Sequence, residues 1–158
     1  MKKEKMLDTV TEMKEYFERS TRVLEEANST FAPREGMFTA AQVVGHVAQT
    51  IEWFIHGAFA PGGFDMDFEG MDKKIRAVTS LKAAREWMER ACAAAKKAVE
   101  ATGEAEWAGL LPEGPIMGGL PRAAIFPALA DHTAHHRGAL TVYSRLLNKV
   151  PLMPYQEM

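Results

Sequence analysis

Residues 125 to 147 carry Ile125, Leu129, His132, His136, Leu140, Tyr143 and Leu147 at steps of three and four. That spacing lays side chains along one face of an α-helix, whereas a half-buried strand needs steps of two. Three other stretches carry helical signals of their own. Leu7, Val10, Met13, Phe17, Val23 and Leu24 predict a first helix over about residues 4 to 28. Thr39 with Gln42 three residues later has the form of a capping box, and the apolar-rich run behind it predicts a second helix ending near Phe59. Ser80 can cap a third, rich in alanine, for which Gly103 suits a left-handed C-terminal residue. The fourth, which holds the histidine-bearing stripe, starts at Pro121 and runs to about Asn148. Within it, Pro127 should cause a kink or delay the regular part, because its ring opposes the carbonyl four residues back.

Four helices of about 20 residues or more, joined in part by long Pro- and Gly-rich connections, predict an all-α four-helix bundle. The chain of 158 residues is the size of one compact domain, so 1–158 is read as a single unit. The connection 60–79 follows the end of the second helix and 103–120 precedes the fourth. Both are therefore expected to cover one mouth of the bundle and to shape a substrate pocket.

Charge narrows the partners. Nineteen basic residues against 21 acidic ones give a net charge of -2, without the positive excess that a phosphate backbone demands, so nucleic acid is not expected. No run reaches the roughly 18 apolar residues of a membrane span. A lone cysteine excludes an internal disulfide, and the amphipathic start MKKEKMLDTVTEMKEYF lacks the unbroken apolar stretch of a signal peptide; a cytoplasmic protein is expected.

The two histidines on the fourth stripe carry the chemistry. His132 and His136 are about 40° apart around the axis and one turn apart along it, close enough for both imidazoles to reach one point. His46 stands in the apolar second helix among Val43, Val44, Val47 and Ile51. If these two helices are antiparallel, Phe59 and Pro121 mark the same end. His46 then lies 13 residues in and the pair 11 and 15 residues in. The levels agree within roughly 3 Å at about 1.5 Å per residue, against a mismatch of roughly 9 Å for a parallel pair.

A buried neutral imidazole presents one donor and one acceptor, so three of them facing one another in an apolar core are costly unless they bind something. A divalent cation is the natural occupant. Three neutral ligands leave its charge uncompensated and a coordination position open, as in catalytic rather than structural zinc sites. Such a site can bring a bound water to a pKa of about 7 or hold a thiolate nucleophile. An isolated His pair four residues apart is more often a surface or satisfied core pair, and it is the third histidine at the matching level that favours ligation. Thr133 stands where HExxH needs its glutamate, and no Glu-x-x-His occurs for a carboxylate di-iron site.

HTAHHRG at 132 to 138, the single histidine in VVGHVAQTIEWF and the closing KVPLMPY at 149 to 155 together resemble the DinB-like family of four-helix metalloproteins. The resemblance implies an up-down-down-up bundle with a long crossover between helices two and three, often dimeric. It also implies His46, His132 and His136 as ligands for zinc or nickel. Relatives include S-transferases and isomerases that use low-molecular-weight thiols, so a small-molecule substrate and such a thiol are the expected partners. The family usually follows HHRG with Gln, where Ala139 stands here.

Three activities fit: a thiol-dependent S-transferase, a hydrolase using metal-bound water, and a non-catalytic bundle that binds metal or ligand. Gln49 and Thr50, one turn past His46, are the candidates for orienting a metal-bound water. Trp53 and Tyr143, each seven residues from a ligand, are core or pocket wall. His56 belongs at the surface or a helix end, and His135 on a neighbouring face with Asp131 four residues before it. Cys92 reads as packing. Arg137 is either solvated or an interface or substrate contact. Gly138, Val142 and Leu146 form a strip that lets a second chain approach, pointing to a homodimer.

Overall fold

The computed structural model describes residues 1–156. Six α-helices follow one another: α1 (Lys3–Thr21), α2 (Ala40–Gly57), α3 (Phe68–Arg76), α4 (Leu81–Ala101), α5 (Glu104–Ala108) and α6 (Ile125–Leu146). No strand occurs among the described residues, where the one bridge, Leu110 with Pro121, is isolated. The fold is all-α, and among the described residues no helix is long and apolar enough to cross a membrane.

The four long helices are the expected ones. α1 and α2 each pack against both α4 and α6. Their apolar stripes meet in one core, with Val10 and Phe17 of α1, Val47 and Ile51 of α2, Ala95 of α4 and Leu129 and Leu140 of α6 fully buried. At one end of the α2–α6 pair the Tyr143 hydroxyl donates to the Phe38 carbonyl at 2.9 Å, and at the other Arg122 Nε donates to the Ala58 carbonyl at 2.8 Å. These two helices therefore run in opposite directions, the arrangement the histidine levels favoured. Lys3 Nζ donates to Glu100 O at one end of α1, and Arg85 reaches Thr21 O at the other.

Caps behave as the sequence predicts at two starts. Thr39 Oγ1 accepts from Gln42 N while Gln42 Oε1 accepts from Thr39 N, and Ser80 Oγ accepts from Ala83 N. Several boundaries need correction. α1 ends at Thr21, not near residue 28, because Arg85 takes the Thr21 and Leu24 carbonyls while Glu25 and Asn28 close a local 3-10 turn. Such side-chain bonds offer the backbone an alternative to continuing the helix. Gly103 is not left-handed: its φ is -69°, and it serves as the N-cap of α5. α6 becomes regular at Ile125, after a 3-10 turn over Arg122–Ala124, so Pro127 sits in its first turn and delays the helix without breaking it.

Both connections hold helices that periodicity did not reveal. α3 is capped by Asp67, which accepts from Gly70 N at 2.9 Å, and is laced by Glu69–Lys73 and Asp72–Arg76 pairs at 2.6 and 2.7 Å. α5 exists to bury Trp107 against Phe59 and Phe126. The closing segment folds back over α1 and α6. There Arg19 donates to the Pro154 carbonyl and the Arg137 guanidinium lies over the rings of Tyr16 and Tyr155.

Candidate metal centre

α2 and α6 bring three imidazoles to one point. His132 Nε2 lies 3.2 Å from His46 Nε2 and 3.1 Å from His136 Nε2, and one ligand atom from each residue falls within 4.8 Å of both others. All three rings are half-buried. Pairwise hydrogen bonding cannot satisfy this cluster. A neutral imidazole nitrogen carries either a proton or a lone pair, so His132 Nε2 can complete one of its two contacts as a donor or as an acceptor but not both. His132 Nδ1 is buried and has no partner among the described residues, which leaves the ring still less satisfied.

A cation resolves the conflict, since it accepts all three lone pairs at once. Nitrogen ligands at about 2.0–2.1 Å from a tetrahedral zinc stand about 3.3 Å apart, and the two closest separations here are within a few tenths of an ångström of that value. The three residues present therefore fit a divalent metal.

Electrostatics agree. Burial lowers the pKa of His46, and of His132 to about 4 with help from the charges of His46 and His135. Burial, followed by His132, His46 and His135, takes His136 down to about 3. At neutral pH all three are thus unprotonated, the form that ligates.

A cavity of about 450 Å³ opens beside His46 and His132. Gln49 and Thr50 line it, as do Trp53 and Phe54 from α2, Phe68, Met71, Asp72 and Ile75 from α3, Ile116 from the connection before α6, and Phe38. Between Gln42 and Trp53 on α2 the other polar side chains have partners: Gln42 with Thr39, His46 with His132, Glu52 with Trp87, Trp53 with Asp65. Gln49 and Thr50 have none among the described residues, so both are free to meet a ligand.

The other singled-out residues fall where packing puts them. His56 is exposed at the end of α2, and Cys92 is buried, its thiol pushed up to about 12 by desolvation. His135 is exposed and packs edge-on against the His136 ring at 4.8 Å. Both side chains are exposed, and no ion pair joins His135 to Asp131 among the described residues, contrary to the carboxylate partner expected for it. Tyr143 is core, edge-on to Phe31, and Trp53 is cavity wall. Phe68, Met71, Asp72 and Ile75 lie in the connection 60–79 and Ile116 in 103–120, the two segments expected to shape a pocket, whereas Phe38 and Phe54 were not foreseen there. For α3 a signal existed in Phe68, Met71 and Ile75 at steps of three and four behind the Asp67 cap.

Antiparallel helices presenting an i, i+4 histidine pair and a third histidine beside an open cavity define a helical protein with a candidate metal site. The chain matches the DinB superfamily over residues 9–140 and belongs to that family. No curated protein matches it.

Proposed function

We propose that this protein is a metal-dependent enzyme, a thiol-dependent S-transferase acting on a small electrophile, with His46, His132 and His136 as the metal ligands. The observation that carries the reading is the triple approach of the Nε2 atoms next to a cavity large enough for a small molecule. Zinc or nickel is the proposed ion. When bound, it supplies a positive centre that lowers the pKa of a thiol or water and so raises the supply of nucleophile at neutral pH.

The chain's own residues do the rest. Burial keeps the imidazoles neutral and their lone pairs available. The Gln49 amide and the Thr50 hydroxyl, without partners among the described residues, hold and orient the reacting polar atoms of the ligand. The aromatic wall of Phe38, Trp53 and Phe54 excludes water around them. A hydrolase reading uses the same residues with water as the nucleophile. A purely structural metal site is disfavoured by the cavity, since such a site is closed by its ligands.

The proposal extends to the architecture. The contacts at the helix ends support an up-down-down-up bundle acting as one domain, with its long crossover between α2 and α4. Gly138 has open space where a Cβ would be, and Val142 and Leu146 beside it are exposed, which supports a homodimer through this strip in a cytoplasmic protein. The test is metal analysis of protein purified without an affinity tag, then turnover with a low-molecular-weight thiol and a panel of electrophiles. Stoichiometric metal and turnover lost in His46→Ala are expected; metal-free wild type would overturn the reading.

A further inference from the structure

The cavity beside the histidines has a composition that specifies its ligand. Seven of its lining side chains, Phe38, Trp53, Phe54, Phe68, Met71, Ile75 and Ile116, are aromatic or aliphatic. They come from α2, α3 and two loops. Polar groups gather where His46, His132, Gln49 and Thr50 stand.

Charge is nearly absent from the lining. Asp72 is its one acidic residue, and that carboxylate accepts from Arg76 Nε at 2.7 Å. The Arg76 guanidinium in turn lies over the Phe38 ring, 4.9 Å from its centroid. One oxygen of that carboxylate is thus engaged by Arg76, and no lysine or arginine lines the cavity to receive an anion. A carboxylate carried on the ligand body would lose its hydration here without a compensating partner, and an ammonium would meet only a carboxylate already engaged by Arg76, penalties that discriminate strongly between otherwise similar molecules.

We propose that this cavity binds an uncharged, predominantly aromatic or aliphatic small molecule, with a single polar or electrophilic group directed to the end formed by Gln49, Thr50 and the histidines. The inference rests on the enzyme reading above and narrows it: the electrophile is the apolar partner, and a charged thiol reaches the centre without occupying this wall. A volume of about 450 Å³ suits a body of one or two fused rings, at the lower end of small-molecule pockets.

The test compares three probes on one ring system: methyl 2-naphthoate, 2-naphthoate and 2-naphthylmethylammonium, titrated calorimetrically into the protein as purified and after chelation, with circular dichroism confirming the fold in each state. The expected result is that the ester binds at least tenfold more tightly than the ammonium in both states and than the carboxylate after chelation. Ile116→Trp, which fills the cavity from a loop, should weaken the ester at least tenfold; Met71→Trp makes the same test if that variant does not fold. Absent ester binding, an ammonium in either state or a carboxylate after chelation that binds as tightly as the ester, or an ester affinity unmoved by a folded filling variant overturns the proposal. Ester selectivity in a protein that never holds stoichiometric metal would retain this inference and overturn the enzyme reading. Metal binding without ester selectivity would do the reverse.

Discussion

His46 Nε2 and His132 Nε2 lie 3.2 Å apart although 86 positions separate the two residues in the chain. Helix-to-helix packing of α2 on α6 is what holds them there, and neither ring gains a full hydrogen-bond complement from the other. Replacing His46, His132 or His136 by Ala should therefore weaken zinc binding by more than the 10–100-fold that loss of a supporting residue typically causes. Competition with a chromophoric chelator measures it. Zinc should also raise the Tm of wild type and leave each variant nearly unmoved. A single variant that keeps wild-type affinity would remove that histidine from the ligand set.

Acid should act on the same cluster with a definite sign. The folded-state pKa values of His132 and His136 are depressed to about 4 and about 3, and that of His46 is lowered, against about 6.5 in the unfolded chain. Because the unfolded state binds protons first, the stability tied to these neutral rings is fully present above pH 6.5 and is lost as pH falls toward 4 and then 3. In chelated protein, the urea midpoint of wild type should drop more between pH 7.5 and 5 than that of His132→Ala/His136→Ala. Equal drops would assign the acid sensitivity to other groups.

The parts legible in the sequence were those with long, regular signals. The stripe Ile125 to Leu147 marks α6, and the matching levels of His46 and the pair favour an α2 antiparallel to it. α3 and α5 escaped because nine and five residues are too short for periodicity to stand out among Pro, Gly and Asp. The end of α1 escaped for a different reason. Leu24 is buried, as the apolar pattern requires, yet it is reached after the helix has ended at Thr21, through carbonyls that Arg85 holds from 61 and 64 positions away. No local reading contains that contact. The polar residues Gln49 and Thr50 could be found from their turn beside His46, and Ile116 from its place in the connection expected to cover that mouth, whereas Phe38 enters the cavity through loop conformation alone.

Trp107 offers a test of the packing at the α5 end. Its side chain is completely buried, edge-on to Phe59 and Phe126, and its Nε1 has no hydrogen-bond partner among the described residues. Trp107→Ala should destabilise by about 3–5 kcal/mol, the usual range for emptying such a site. Trp107→Phe should lose much less, because it also removes an orphaned donor whose burial costs about 1–3 kcal/mol. Urea unfolding of the two variants distinguishes the terms. A Phe variant as unstable as the Ala variant would mean that the indole N–H is satisfied in solution.

Gly57 bears on the cavity wall. A Cβ at this position would lie 2.2 Å from Cδ1 of Phe64, too close without movement of the ring. Phe64 packs on Trp53 and Phe54 at centroid distances of 4.7 and 5.6 Å, and both of those residues line the cavity. Gly57→Ala should thus push Phe64 out of the aromatic cluster and destabilise the fold by about 1–3 kcal/mol, the range for overpacking. At roughly 2–4 °C per kcal/mol for a chain of this size, the shift in Tm is readily measured. Because the damage passes through one ring, Gly57→Ala/Phe64→Ala should be little worse than Phe64→Ala alone, a coupling that a double-mutant cycle reads directly. Additive losses would show instead that the methyl group strains the α2 backbone, and that the wall of the cavity does not depend on the missing Cβ.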